Sequence, residues 1–287
     1  MKKSLVEIMG ADRSHWVGDG FRVRTLFSYQ GDTAAISPFL LLDYGDPHFF
    51  EPNSGPPRGV GQHPHRGFET VTIVYDGEVS HRDNHGGGGT IGPGDVQWMT
   101  AGSGVIHEEF HSKAYSEKGG PFRMIQLWVN LPAKDKMHKP RYQAILNAEI
   151  PELSFEGGAA RIIAGAFDGT TGPASTFSPM NIWDVKIPEA GDISLDLPEG
   201  HNTMLVVLTG SIEANGHRID PARIARFSVE GQGVELTAAK GTRLLVLTGE
   251  PLGEPVVGQG PFVMSSVDEI RQAFVDFQSG RFGSLPE

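Results

Sequence analysis

The chain contains no cysteine, which excludes a disulfide framework and any thiolate metal site. It also lacks a run of basic residues. Lys and Arg number 24 against 35 Asp and Glu, a net charge of −11, so a general attraction to the phosphate backbone of nucleic acid is disfavoured. No stretch approaches the roughly 20 apolar residues that a membrane helix needs. The opening segment meets Glu7 after only Leu5 and Val6, too short an apolar stretch for an export signal. Taken together these absences point to a globular chain in a reducing compartment, the cytoplasm.

What the sequence has in quantity is punctuation. Its 38 glycines and 20 prolines are spread along the whole length and separate short apolar runs. One set comprises Phe39-Leu40-Leu41-Leu42 and the runs 71–75, 96–99 and 124–129; a second comprises 161–166, 181–187, 204–208, 226–229, 234–237 and 244–247. Runs of this length bounded by Gly, Pro and Asp read as strands, so the fold class is all-β. The polar stretch 132–140 reads as a linker, which divides the chain into domains 1–134 and 141–287. One helix is expected near the C-terminus. Ser266-Val267-Asp268-Glu269 has the form of a capping box, Ile270, Phe274 and Phe277 repeat at helical spacing, and Gly280 stands where a C-cap glycine belongs.

His63-Pro64-His65 is the segment with chemical content. Side chains two apart on a strand share a face, so the two imidazoles can grip one metal ion. A second strand-like run, Gly104 to Phe110, places His107 and Glu109 at the same spacing. The two pairs facing each other supply three nitrogens and a carboxylate, a set suited to a divalent first-row metal such as iron, manganese, nickel, cobalt, copper or zinc. The halves also look like a diverged duplication, since Thr70 to Gly77 resembles Thr203 to Gly210 at an offset of 133 residues. That offset carries His63, His65, His107 and Glu109 onto Asp196, Pro198, Lys240 and Thr242, so one metal is expected, in the first half only.

With these residues in place the chain resembles the pirin family of the cupin superfamily. The carrying segments are His63-Pro64-His65-Arg66-Gly67-Phe68-Glu69 and Pro93 to Glu109, with further matches at Gln126 to Leu131, Gly249 to Pro255 and Gly260 to Met264. The resemblance spans from about Phe39 to Phe277. It implies a bicupin of two antiparallel β-barrel (jelly-roll) domains packed face to face with a short C-terminal helix, the first holding one metal, most often iron. By position the family's ligands fall on His63, His65, His107 and Glu109. Other cupins draw their carboxylate from the position of Glu69, and parity puts Glu69 on the ligand face too. Spacing alone does not choose between them; the pirin-like context favours Glu109, with Glu69 orienting the imidazoles from behind. The resemblance further implies a quercetin 2,3-dioxygenase, which opens a flavonol with O₂ and releases carbon monoxide, with Glu109 as the catalytic base. The alternative it implies is a non-enzymatic, iron-dependent redox sensor that binds a protein partner. Neither role involves direct nucleic-acid or membrane binding.

Other features carry less. Gly86 to Gly89 lacks the ending of a phosphate-binding loop and reads as a hairpin tip that could cover the pocket mouth. His81 and His85, in the same region, read as solvated residues or as outer partners of the ligands. His111 shares the parity of Glu109, but the strand is expected to end there. Arg66 should face away from the metal and form a structural ion pair. Phe39 to Tyr44, Trp98, Met99, Met124 and Trp128 could line a cavity for a flat aromatic ligand or could equally be barrel core.

Overall fold

Every second residue of Val105–His111 is buried, the signature of a strand with one face on a core. Strands of this kind make up most of the computed structural model, which describes residues 1–286. The longest helix is Val267–Gln278, and no described helix is long and apolar enough to cross a membrane. Its start follows the expected capping box: Ser266 Oγ accepts from the Glu269 N–H at 3.2 Å, and the Glu269 carboxylate accepts from the Ser265 N–H at 3.0 Å.

The chain forms two compact units. One contains residues 13–33, 39–147 and 253–286, and the other contains 1–12, 34–38 and 148–252. The linear division at 134 and 141 therefore misses three exchanged segments, 1–12, 34–38 and 253–286. Leu5–Gly10 pairs antiparallel with Arg223–Phe227, which ties the N-terminus to the unit built by the second half. The C-terminal helix belongs with the first half, where it packs with Phe262 and Met264. Stretch 132–140 is not a solvated linker either. Lys136 is buried inside one unit, where its ammonium donates to Gly67 O, Asn130 Oδ1 and Val263 O at 2.9, 2.6 and 3.1 Å. Burial lowers its pKa to about 7.

Each unit contains a large and a small antiparallel sheet. In the first, the large sheet runs in the order Arg141–Ile145, Val96–Thr100, Phe68–Asp76, Gly120–Asn130, Phe39–Gly45, Phe21–Ser28, His15–Val17. Its small sheet runs Gly59–His65, Val105–His111, Val79–Asp83, Gly88–Ile91. The second unit repeats the small sheet as Gly191–Leu195, Val234–Ala238, Ile212–Ala214, His217–Ile219. The expected barrels are thus open jelly rolls, because the ladders of the two sheets remain separate.

The interiors differ in kind. In the second unit one continuous apolar core joins Trp183, Leu205 and Val246 of the large sheet to Leu195, Val234 and Leu236 of the small one. In the first unit the apolar core is interrupted. Phe21, Val74, Ile91, Phe122 and Met124 pack together as one cluster, with Val79 and Tyr115 among them. Beside it, buried His65, His81, His107, Glu109, Thr72 and Gln97 bring polar groups into the interior.

A candidate metal centre

The small sheet of the first unit sets the histidines. Across its ladder His107 lies directly opposite His63, and Val105 opposite His65. The three rings converge, with centroids 4.1 Å apart for His63 and His107, 4.9 Å for His65 and His107, and 4.9 Å for His63 and His65. Each offers a ring nitrogen within 4.8 Å of the others. Burial, reinforced by the neighbouring imidazoles, drives the pKa of His65 and His107 well below the ordinary value, so both are neutral and able to coordinate.

Backbone carbonyls fix two of the three rings. His63 Nδ1 lies 2.8 Å from Gly61 O, and His65 Nδ1 lies 3.4 Å from Pro261 O. A carbonyl only accepts, so the proton sits on Nδ1 in both rings and Nε2 carries the free lone pair. His107 Nε2 is buried and has no hydrogen-bond partner. Such an atom is costly in an apolar interior, and a cation beside it removes the cost. The site therefore fits a divalent metal on the chemistry of its own donors.

Glu109 stands in a second group. A register shift in the ladder between His107 and Glu109 brings Glu109 opposite Val60, while on the other side it faces His81. His81, His107 and Glu109 offer atoms within 4.8 Å of one another. The structure thus joins His63, His65 and His107 in one cluster and connects Glu109 to it through the shared His107. The carboxylate is held by Gln97, whose amide donates to Glu109 Oε1 at 2.8 Å. Thr72 Oγ1 lies 3.5 Å from the same oxygen.

His81 carries more of the site than its sequence context conveys. It is buried, with Nδ1 at 3.3 Å from His107 Nδ1, and Tyr142 stacks on its ring at 5.1 Å. Its Nε2 lies 3.3 Å from Asp83 Oδ2. Burial pushes Asp83 upward, but hydrogen bonds from His81 and from the N–H groups of His85 and Gly87 outweigh it and hold the carboxyl below its ordinary value. Only Gly86 and Gly87 of the glycine tract lie in the hairpin tip, since Gly88 and Gly89 pair with Arg82 and His81 in the sheet, and a Cβ at Gly87 would collide with Asp83.

Glu69 is elsewhere. The chain turns at Gly67, whose φ of +88° suits glycine and where a Cβ would strike Val263 O. This turn separates the small-sheet strand Gly59–His65 from the large-sheet strand Phe68–Asp76, so parity cannot be counted across it. Glu69 lies on the face of its sheet opposite Thr72 and bonds Thr100 Oγ1 at 2.6 Å, with Arg141 at 3.8 Å. It orients none of the clustered imidazoles. Arg66 does form the expected ion pair, with Asp276 at 2.8 Å. His111 ends its strand and is a core residue, at 2.9 Å from Gly20 O and stacked on Phe122. Of the aromatic candidates, Trp128 reaches the site. It stacks on Phe68 at 4.2 Å, and both rings stand edge-on to His65, at 5.3 and 5.1 Å.

The ladders also correct the comparison between halves. Val79 pairs with His111 and Ile212 with Ala238, which aligns Glu109 with Leu236 and His107 with Val234. His63, opposite His107, then matches Leu195, opposite Val234, and His65 matches Leu197. By the same registers Thr72, Gln97, Gln126 and His81 match Leu205, Ala225, Val246 and Ala214. All eight counterparts are buried in the continuous apolar core. The constant offset had given Asp196, Pro198, Lys240 and Thr242; it fails because the chain from Leu195 to Leu205 is longer than that from His63 to Thr72, and the chain from Ile212 to Val234 is shorter than that from Val79 to His107. At these matching positions the second unit keeps the strand plan and carries none of the donors.

Comparison with known proteins agrees with this architecture. Residues 20–129 match the pirin family and residues 182–283 match the pirin C-terminal cupin domain. A Pseudomonas aeruginosa protein, provisionally named a quercetin 2,3-dioxygenase, is 53% identical over 282 residues, covering 98% of both chains. Human pirin is 35% identical over 98% of this chain and 94% of its own. The crystal structure of a quercetin 2,3-dioxygenase from Acinetobacter baumannii superposes with a TM-score of 0.96 at 50% identity, covering 100% of both chains. The chain belongs to the pirin family.

Proposed function

We propose that this protein is a metal-dependent dioxygenase of pirin type that opens flavonols such as quercetin with O₂ and releases carbon monoxide. The observation that carries the reading is the convergence of His63, His65 and His107 around a buried, unpartnered His107 Nε2. His63, His65 and His107 would hold one divalent metal, iron by preference, with Glu109 completing the set from beside His107. The bound metal would supply Lewis acidity, lowering the pKa of a substrate hydroxyl and fixing its position. Names borne by relatives at 53% and 50% identity favour a flavonol as that substrate.

The chain's own residues meet the remaining needs. Glu109 is the general base for the 3-hydroxyl proton, aimed by the Gln97 amide that holds its Oε1. Phe68 and Trp128 present an aromatic wall beside His65, suited to a flat polyphenol. The test is to load purified protein with Fe²⁺, Ni²⁺, Co²⁺, Mn²⁺ or Cu²⁺ and supply quercetin and O₂. Flavonol absorbance should fall as carbon monoxide appears. No turnover with any metal, from protein shown to bind one, contradicts the proposal.

A further inference from the structure

His107 differs from the other two clustered histidines in what fixes its proton. His63 and His65 face backbone carbonyls, which dictate the tautomer outright. His107 faces another histidine, Nδ1 to Nδ1 at 3.3 Å, and that contact alone admits a proton on either ring. The surrounding bonds remove the ambiguity. An ionised carboxylate accepts and cannot donate, so Gln97 must turn its amide nitrogen to Glu109, at 2.8 Å, and its oxygen to the Tyr142 hydroxyl, at 3.2 Å. The second amide hydrogen then points to His81 Nδ1 at 3.2 Å, which must accept. On the other side of the His81 ring, Asp83 Oδ2 requires a proton on Nε2. Both constraints give the same His81 tautomer.

We infer that Asp83 and His81 form a positioning relay that places the His107 proton on Nδ1 and leaves its Nε2 lone pair free for the metal. The proton order runs from His107 Nδ1–H to the His81 Nδ1 lone pair, which the Gln97 amide shares, and from His81 Nε2–H to Asp83 Oδ2. Asp83 is itself anchored, since its Oδ1 accepts from the N–H groups of His85 and Gly87 at 2.8 and 3.0 Å. The hairpin tip thereby reaches a metal ligand through two side chains. The inference rests on the reading of His107 as a ligand and is independent of the substrate.

Asp83→Asn is the diagnostic substitution, because it keeps shape and inverts one hydrogen bond. The amide oxygen will stay with the two backbone N–H groups, leaving the amide nitrogen to donate towards His81 Nε2. Gln97 still asks His81 Nδ1 to accept while the new amide asks the same of Nε2, so the two demands oppose each other. Part of the His81 population takes its proton on Nδ1, and with it part of the His107 population is protonated on Nε2, where coordination is blocked. Long-range proton–nitrogen spectra of the metal-free full chain read both tautomers directly. The wild type should show His107 protonated on Nδ1 alone, and Asp83→Asn should show a second population protonated on Nε2. Zn²⁺ affinity should fall about 10–100-fold in His81→Leu, the range found for outer partners of metal ligands, and by a smaller factor in Asp83→Asn. His81→Gln, whose amide oxygen can accept from His107, should keep the wild-type affinity.

A wild-type His107 protonated on Nε2 overturns the relay, as does an unchanged tautomer in folded Asp83→Asn. Should Asp83→Asn fail to fold, the wild-type spectrum and the contrast between His81→Gln and His81→Leu decide the matter. Equal Zn²⁺ affinity in those two variants counts against the relay. Wild-type protein that binds no metal contradicts the metal reading instead, while the tautomer spectra still judge the relay.

Discussion

Gln97 donates to Glu109 Oε1 at 2.8 Å from the neighbouring sheet, and this bond directs the carboxylate that adjoins His107. If Glu109 is the base for the substrate hydroxyl, replacing it by the isosteric amide removes the proton acceptor and leaves the three imidazoles in place. Glu109→Gln should lower turnover by about 10²–10⁴-fold, the usual contribution of a positioned base. Steady-state kinetics at matched metal content measure this. Turnover within a factor of a few of wild type rules out Glu109 as the base.

Glu69 gives a pH dependence separable from the site. Burial raises its pKa to about 7 from an ordinary 4.5, against the opposing hydrogen bond from Thr100. Between these values the folded chain binds more protons than the unfolded one, so stability is fullest below pH 4.5 and falls as pH rises through about 7. Glu69→Gln cannot ionise. Its stability relative to wild type should rise across that window by an amount of order 3 kcal/mol. Denaturant unfolding at several pH values checks this, and a difference independent of pH contradicts it.

The pair Arg66–Asp276 connects the residue after the His-x-His motif to the C-terminal helix. Its hydrogen bond from Arg66 is the largest influence lowering the Asp276 pKa to about 2, from 3.8. The stabilisation is therefore present above pH 3.8 and disappears as pH falls through about 2. Both partners are largely shielded, but Arg66 keeps its bond to Ser103 O at 2.8 Å, so Asp276→Ala should cost about 1–3 kcal/mol at neutral pH. Thermal and denaturant unfolding test the figure. A loss below about 1 kcal/mol would place the pair among solvent-exposed ones.

Much of the site could be read from local spacing, and what escaped depended on register. His63, His65, His107 and the helix start at Ser266 follow from residues two to three apart, where strand and helix geometry are fixed. The Glu69 reading failed because Gly67 reverses the chain and transfers it to the other sheet. His81 is left between a solvated role and that of an outer partner by the sequence, because the neighbours that decide for the latter, His107, Glu109 and Gln97, lie on other strands. Phe68 escaped for the same reason, since its contact with His65 is made across the turn. The exchanged N-terminal strand has no local signal, because its partner Arg223–Phe227 is at the far end of the chain.

The account rests on one metal centre, built in one unit and replaced by apolar residues in the other. Its most direct test is the metal content per chain after loading with Fe²⁺ or Ni²⁺ and desalting, measured by elemental analysis on wild type and on folded His107→Ala. One ion per wild-type chain and almost none in the variant is the predicted result. Two ions per chain, or a content that His107→Ala leaves unchanged, would contradict it.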